Sequence, residues 1–287
     1  MPADHPYPEL QRAISGWSYQ PDPALLRGRT ILVTGAGDGI GSCAARTFAW
    51  YGANLILLGR THAKLERVFD WISANTATDP VIVPCDLEAA DRTAFDQLFE
   101  QTIDHYGKLD GLLHNAGLLG PRVPLAHYDS DSWRRLMQVH VNAAFDLSAA
   151  LMPALEAATD APVLFTSSTV GRQGRAYWGA YAVSKFAVEG LAQVMADETS
   201  KSSIRVATIN PGATRTAMRA AAYPGEDPGT LATPEQRMAA YLYFMGPEGK
   251  TLPSPTRLDA RDFDPAAGGS HPDAAGAGSS QPAGSSG

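Results

Sequence analysis

Thr34-Gly35-Ala36-Gly37-Asp38-Gly39-Ile40-Gly41 follows the apolar run Ile31-Leu32-Val33 and opens a helical pattern. Glycines at this spacing allow a tight turn and a close approach of backbone to a pyrophosphate. The N-terminus of the helix that follows adds free N–H groups and the positive end of its dipole. A glycine triplet alone is weak; strand, loop and helix in succession raise it to a dinucleotide-binding fingerprint.

Working outward, further short apolar runs occur at Asn54 to Leu58, Val81 to Val83, Leu109 to Leu113, Pro162 to Phe165 and Ile204 to Ile209. None alternates strictly with polar residues, which suits strands buried on both faces. Helical patterns lie between them. Phe95, Leu98, Phe99, Ile103 and Tyr106 recur at three- and four-residue steps; Ser130 to Leu155 begins at an acidic, serine-rich cap; another helix runs from about Ala180 to Glu198. Strand and helix in alternation predict one α/β domain, a doubly wound Rossmann-type parallel sheet with helices on both faces. Residues 1–27, with five prolines, read as an irregular arm, and residues 28–264 as the folded domain. In residues 265–287, 20 of 23 positions are Ala, Gly, Ser or Pro, too little apolar surface to offset ordering entropy, so this tail is expected to be disordered.

The chain has 287 residues, 30 acidic and 23 basic, for a net charge of −7. That balance disfavours nucleic acid and anionic membranes as partners. No apolar run approaches the roughly 20 residues that a membrane-spanning helix needs. Two cysteines, Cys43 and Cys85, exclude a disulfide scaffold and fit a reducing compartment. With no signal-peptide pattern at the start, the expected location is cytoplasmic. No metal site is read.

Where the second strand ends, an acid would grip the ribose 2′-hydroxyl of NAD, and an arginine would accommodate the 2′-phosphate of NADP. Arg60 stands there, which favours NADP, although Asp38 close by opposes a phosphate. Farther on, Ser168 ends a strand, and Tyr181 and Lys185 share a helix face four residues apart. A tyrosine is too weak an acid at neutral pH until an ammonium beside it lowers its pKa. A serine hydroxyl can hold the substrate oxygen. A lone tyrosine–lysine pair at this spacing is more often just a helix surface.

Together these residues resemble the short-chain dehydrogenase/reductase family, over about Gly28 to Gly249. The loop Gly35, Gly37, Asp38, Gly39, Ile40 and Gly41 is similar to its cofactor loop. Asp86-Leu87 resembles its adenine-contacting pair, and Asn115-Ala116-Gly117 its motif after the fourth strand. Pro211-Gly212 with Thr216 is similar to the stretch that touches the nicotinamide amide. The wording from Ser167 to Arg175 resembles the YciK-like branch. The resemblance implies an NADP(H)-dependent oxidoreductase acting on a small carbonyl or alcohol. Ser168 would hold the oxygen, Tyr181 would be the acid/base, and Lys185 would lower its pKa and bind the ribose. A homodimer or homotetramer built on the helices around 130–155 and 180–199 is also implied. Specificity is expected in Gly171 to Trp178 and in a mobile loop from Ala213 to Thr233.

One position departs from the family. Its asparagine, 28 residues before the serine, falls on His140, and Asn142 is out of register by two. Imidazole titrates near pH 6.5 and could serve a proton relay, or His140 could simply pack on the stripe Trp133, Met137, Ala144. The alternative for the whole chain is a non-catalytic dinucleotide sensor or scaffold on the same fold.

Overall fold

Ile31 and Val33 pack into one apolar cluster while Leu32 between them packs into another. Leu55 and Leu57 likewise part company with Ile56 and Leu58. Successive strand side chains point to opposite faces, and both faces here are covered by helices. That is why these runs carry no polar alternation.

The computed structural model describes residues 6–261 and 263–267. Seven strands, β1 (Thr30–Thr34), β2 (Asn54–Gly59), β3 (Pro80–Pro84), β4 (Gly111–His114), β5 (Ala161–Thr166), β6 (Ile204–Asn210) and β7 (Thr256–Asp259), form one parallel sheet in the order β3-β2-β1-β4-β5-β6-β7. The helices are α1 (Pro8–Ile14), α2 (Gly39–Trp50), α3 (His62–Asn75), α4 (Arg92–Tyr106), α5 (Ser130–Met137), α6 (Ala143–Glu156), α7 (Gly179–Glu198), α8 (Ala217–Ala222) and α9 (Met238–Met245). Strand order reverses between β1 and β4, and a doubly wound sheet opens its binding crevice at the carboxyl ends of such strands.

Six of the seven strands match the apolar runs of the sequence. β7 does not, because its Thr256-Arg257-Leu258-Asp259 carries a single large apolar residue. The expected long helix from Ser130 to Leu155 is interrupted by a π-helical turn, Gln138–Asn142, which joins α5 to α6.

Within the N-terminal arm, Pro8–Ile14 form a helix and several side chains pack into the core. Pro8 starts α1, where its missing N–H costs nothing. Tyr7, Leu10, Trp17 and Leu26 are buried in the cluster that also holds Phe48 of α2 and Phe244 of α9. The Arg46 guanidinium lies 5.1 Å from the Tyr7 ring centroid and 5.6 Å from that of Trp71. Pro8 opens α1 and Pro23 lies in a turn, in a segment whose apolar side chains join the core. The domain therefore extends N-terminally beyond residue 28. Of the tail expected to be disordered, Pro265–Ala267 form a 3-10 turn, and 268–287 lie outside the described residues.

Candidate active site

β1 ends in the glycine loop. Gly35 sits at φ 67°, and a Cβ on Gly41 would lie 2.2 Å from the Gly35 carbonyl oxygen. No larger residue fits at Gly41 without moving the loop from the first turn of α2. Asp38 caps that helix, its carboxylate accepting the Gly39 N–H at 2.7 Å and pairing with Lys64. The lysine keeps the carboxyl below its usual range and offsets its charge. The expected repulsion of a phosphate by Asp38 is thereby weakened.

Beneath the loop, Thr34 Oγ1 accepts the N–H groups of Asn115 and Ala116 at 2.9 and 3.0 Å, and the Asn115 amide donates to the Thr34 carbonyl. Asn115 thus ties β1 to the exit of β4 directly under the turn. Across the crevice, β5 runs out at Thr166 and Ser168 caps a 3-10 turn, Thr169–Gly171. Asn210 ends β6, its Oδ1 accepting the Gly212 N–H at 3.1 Å and its amide donating to Thr169 at 3.0 Å.

These ends enclose a cleft of about 640 Å³. It brings together Gly35, Asp38, Gly39, Ile40, Asn115, Ala116, Gly117, Ser168, Tyr181, Lys185, Pro211, Gly212 and Thr216, thirteen of the nineteen site residues read from sequence. A helix N-terminus whose first N–H groups lack intrahelical acceptors, a loop that admits no Cβ, and a crevice running from there to Tyr181 suit a nicotinamide dinucleotide. Gly37 and Gly41 support the loop rather than line the cleft.

Lys185 is buried, and its ammonium donates to the Thr166 carbonyl at 2.7 Å. Burial lowers its pKa to about 8. It lies 5.8 Å from the centroid of the Tyr181 ring. Desolvation raises the Tyr181 pKa, and the Ser168 hydroxyl opposes the rise. Ser168 and Tyr181 line one cleft, with the Lys185 cation near the tyrosine ring.

Three expected cofactor residues lie elsewhere. Arg60 turns to Glu88, 3.3 Å away, and is not among the residues lining the cleft. Glu88 is also held by Arg135 through two hydrogen bonds, at 2.7 and 2.8 Å. Asp86 shapes a turn by accepting the Glu88 N–H, and Leu87 is buried in the core.

Of the two readings of His140, the geometry fits the buried, packed one. Its Nε2 accepts the Leu118 N–H at 2.7 Å. Its Nδ1 meets Ser184 Oγ at 2.7 Å, while the Ser184 hydroxyl donates to the Tyr181 carbonyl. The proton therefore sits on Nδ1, and neither nitrogen is free. Burial and the Lys185 charge hold the imidazole neutral, well below its ordinary pKa. Asn142 is exposed and bonds Gln138 instead. Leu119, Asn210 and Arg261 also line the cleft and escaped the sequence reading. Asn210 had a signal, since it directly precedes Pro211-Gly212; the other two had none.

A family model described as short chain dehydrogenase matches residues 29–227. The chain belongs to the short-chain dehydrogenase/reductase family. A relative in this family, the uncharacterized oxidoreductase YciK of Escherichia coli K12, is 50% identical over 232 residues, 81% of this chain and 92% of its own. The 0.95 Å structure of the E. coli oxidoreductase yciK superposes with a TM-score of 0.82 at 49% identity, covering 85% of this chain and 99% of that one. A short chain dehydrogenase of Shigella flexneri 2a complexed with NADP does so with a TM-score of 0.81 at 48% identity, covering 83% and 99%. One from E. coli CFT073 complexed with NADPH also reaches 0.81, at 49% identity, covering 84% and 100%. The chain is thus a YciK-like short-chain dehydrogenase/reductase, an oxidoreductase of a family that binds nicotinamide cofactors. Among the described residues no helix is long and apolar enough to cross a membrane.

Proposed function

We propose that the protein is an NADPH-dependent oxidoreductase that interconverts a small carbonyl compound and its alcohol, with Tyr181 as acid/base. The observation that carries this is the cleft that begins at the glycine loop and takes in both Ser168 and Tyr181, with Lys185 buried 5.8 Å from the Tyr181 ring centroid.

When bound, the nicotinamide supplies or accepts the hydride. Ser168 donates a hydrogen bond to the carbonyl oxygen and polarises it. Tyr181 gives that oxygen its proton. Lys185 favours the phenolate that remains, because a cation near the ring lowers the cost of losing the proton. It would also hold the ribose hydroxyls. Gly35, Gly39, Ile40 and Asn115 would hold the pyrophosphate. Pro211, Gly212 and Thr216 would hold the carboxamide end. His140 positions these groups by tying Leu118, just past Asn115-Ala116-Gly117, to the helix that carries Tyr181.

Preference for NADP over NAD rests on Arg60 at the end of β2 and on the two similar proteins complexed with NADP and NADPH. For it to meet a 2′-phosphate, Arg60 must exchange part of its pairing with Glu88. Both cysteines are free, which supports a reducing, cytoplasmic setting. Phe145 on α6 and Val183, Phe186 and Val194 on α7 are exposed apolar side chains, and they support assembly as a homodimer or homotetramer through these helices. Sedimentation of wild type and Phe186→Glu checks that.

The test of function is NADPH oxidation against aldehydes, ketones and quinones. Turnover that Tyr181→Phe abolishes is expected. Tight NADPH binding with no turnover of any of them would favour the sensor.

A further inference from the structure

The charged side chains around the cleft are almost all spoken for. Asp38 pairs with Lys64, Lys185 donates to the Thr166 carbonyl, Arg219 grips Glu226 through two 2.6 Å hydrogen bonds, and Arg261 pairs with Asp259. Arg175 is the exception. It lines the cleft and is exposed, and among the described residues its side chain has no hydrogen-bond or ion-pair partner.

Its surroundings add charge of the same sign. The Arg122 guanidinium lies against both Trp178, 4.6 Å from the ring centroid, and Tyr223, 4.7 Å away, two rings whose own centroids are 6.2 Å apart. It donates to the Ala222 carbonyl, has no carboxylate partner, and its Nε is buried without a hydrogen-bond partner. Trp178 and Tyr223 both line the cleft, so the aromatic wall has an uncompensated cation behind it. Among the described residues no acidic side chain lines this end; Arg219, which pairs with Glu226, lies on the Tyr223 ring, 3.8 Å from its centroid. In a chain of net charge −7, two arginines without acids beside one pocket are not the average of the surface.

The backbone between them is strained. Tyr177 is the one non-glycine described residue at positive φ, 70°. A bulky residue is disfavoured there, and such outliers persist where surroundings hold them. The strained residue lies between Arg175 and Trp178, directly before the helix that carries Tyr181.

We propose that the substrate is a carbonyl compound that also bears a carboxylate, an oxo acid whose carboxylate is taken by Arg175 and whose apolar part lies against Trp178 and Tyr223. This rests on the oxidoreductase reading above. The planar guanidinium offers a fork that matches the two carboxylate oxygens. The carboxylate is unchanged by the reaction. The carbonyl carbon takes the hydride from the cofactor, its oxygen takes the Tyr181 proton, and a hydroxy acid leaves.

The experiment compares phenylpyruvate, 3-oxo-3-phenylpropanoate and 4-oxo-4-phenylbutanoate with their methyl esters. NADPH oxidation is measured for wild type, Arg175→Gln and Arg175→Lys, with melting curves to show that each variant is folded. In wild type, kcat/KM for the best acid should exceed that for its ester by about 10- to 150-fold, the worth of a hydrogen bond to a charged group. Arg175→Gln should bring the ratio close to one, mainly through KM, and Arg175→Lys should restore part of it. Esters reduced as well as acids by wild type, or an acid preference kept by Arg175→Gln, would overturn the carboxylate site and leave the oxidoreductase standing. Calorimetric titration of the same acids into the NADP⁺-loaded protein separates the opposite failure. Binding that depends on Arg175 without turnover would overturn the oxidoreductase reading alone, and neither binding nor turnover would overturn both.

Discussion

His140 Nδ1 and Ser184 Oγ lie 2.7 Å apart, and this contact joins the π-helical turn between α5 and α6 to the first turns of α7. The Ser184 hydroxyl donates a hydrogen bond to the Tyr181 carbonyl, and His140 Nε2 accepts one from the Leu118 N–H on its other side. One imidazole therefore spans from the exit of β4 to the backbone of Tyr181. The Tyr181 ring stands nearly perpendicular to it, centroids 5.6 Å apart.

Replacing His140 by Leu fills the space but strands the Leu118 N–H and leaves Ser184 without its donor. Each buried polar group left unpaired costs about 1–3 kcal/mol. A loss of about 2–5 kcal/mol and a fall of several degrees in melting temperature are expected, together with slower turnover. His140→Asn can serve one partner but cannot bridge both, so it should stay active and fall between wild type and Leu. Thermal melting and kcat for the three proteins check this; a His140→Leu protein that melts with wild type would overturn the packed reading.

Acid should destabilise the protein well above the carboxylate range. Both His140 and His114 are buried and neutral, with His114 lowered to about 3 by burial and by Lys185. In the unfolded chain each takes a proton near pH 6.5. The unfolded state then binds more protons below that value, so stability falls as the pH drops through 6.5. At pH 5 the loss is about 2 kcal/mol for each histidine. Unfolding in urea at pH 7 and pH 5 should show it, and His140→Asn should show a smaller drop.

The pH–rate profile for reduction should have an alkaline limb and no histidine limb. Lys185 loses its proton near pH 8. As its charge goes, the phenol becomes a weaker acid, so kcat/KM should decline above that pH. An acid limb near 6.5 that vanished in His140→Asn would show instead that His140 titrates.

Tyr181→Phe keeps the ring and removes the proton donor. It should bind NADPH nearly as wild type does and lose about 10²- to 10⁴-fold in turnover. Lys185→Ala should weaken both, because the ammonium serves ribose and phenol alike. Fluorescence titration of NADPH beside steady-state rates separates the two effects.

Arg60 and Glu88 set up a competition that mutation can expose. Arg60→Ala should cost roughly 10- to 150-fold in NADPH affinity, with little change for NADH. Glu88→Gln releases Arg60 and removes an anion from its vicinity. A surface pair of this kind contributes about 0.2–1 kcal/mol, so NADPH should tighten by about 1.4- to 5-fold. Equal affinity of wild type for NADPH and NADH would refute both expectations.

Much of this protein is local information, and local information is legible. The glycine loop can be read because the space at Gly41 and the φ of Gly35 are set within a few residues. Tyr181 and Lys185 can be paired because four residues make a helical turn. The buried strands show as apolar runs because each is covered on both faces. What escaped reading depended on partners far along the chain. Tyr7 and Leu10 look like residues of a proline-rich arm until α2 and α9 supply the surface that buries them. β7 has only Leu258 to announce it, and its place comes from pairing with β6. His140 sits at the family's position in the sequence. Its neutrality and its two hydrogen bonds were decided by the π-helical turn, by Leu118 and by Ser184, which only the folded chain brings within reach. Arg60 was read by its place at a strand end, but the partner it holds, Glu88, lies 28 residues away on another loop. Sequence pattern decides where the backbone can turn and which faces are apolar; charge pairing and proton position are decided by distance, and distance exists only once the sheet has formed.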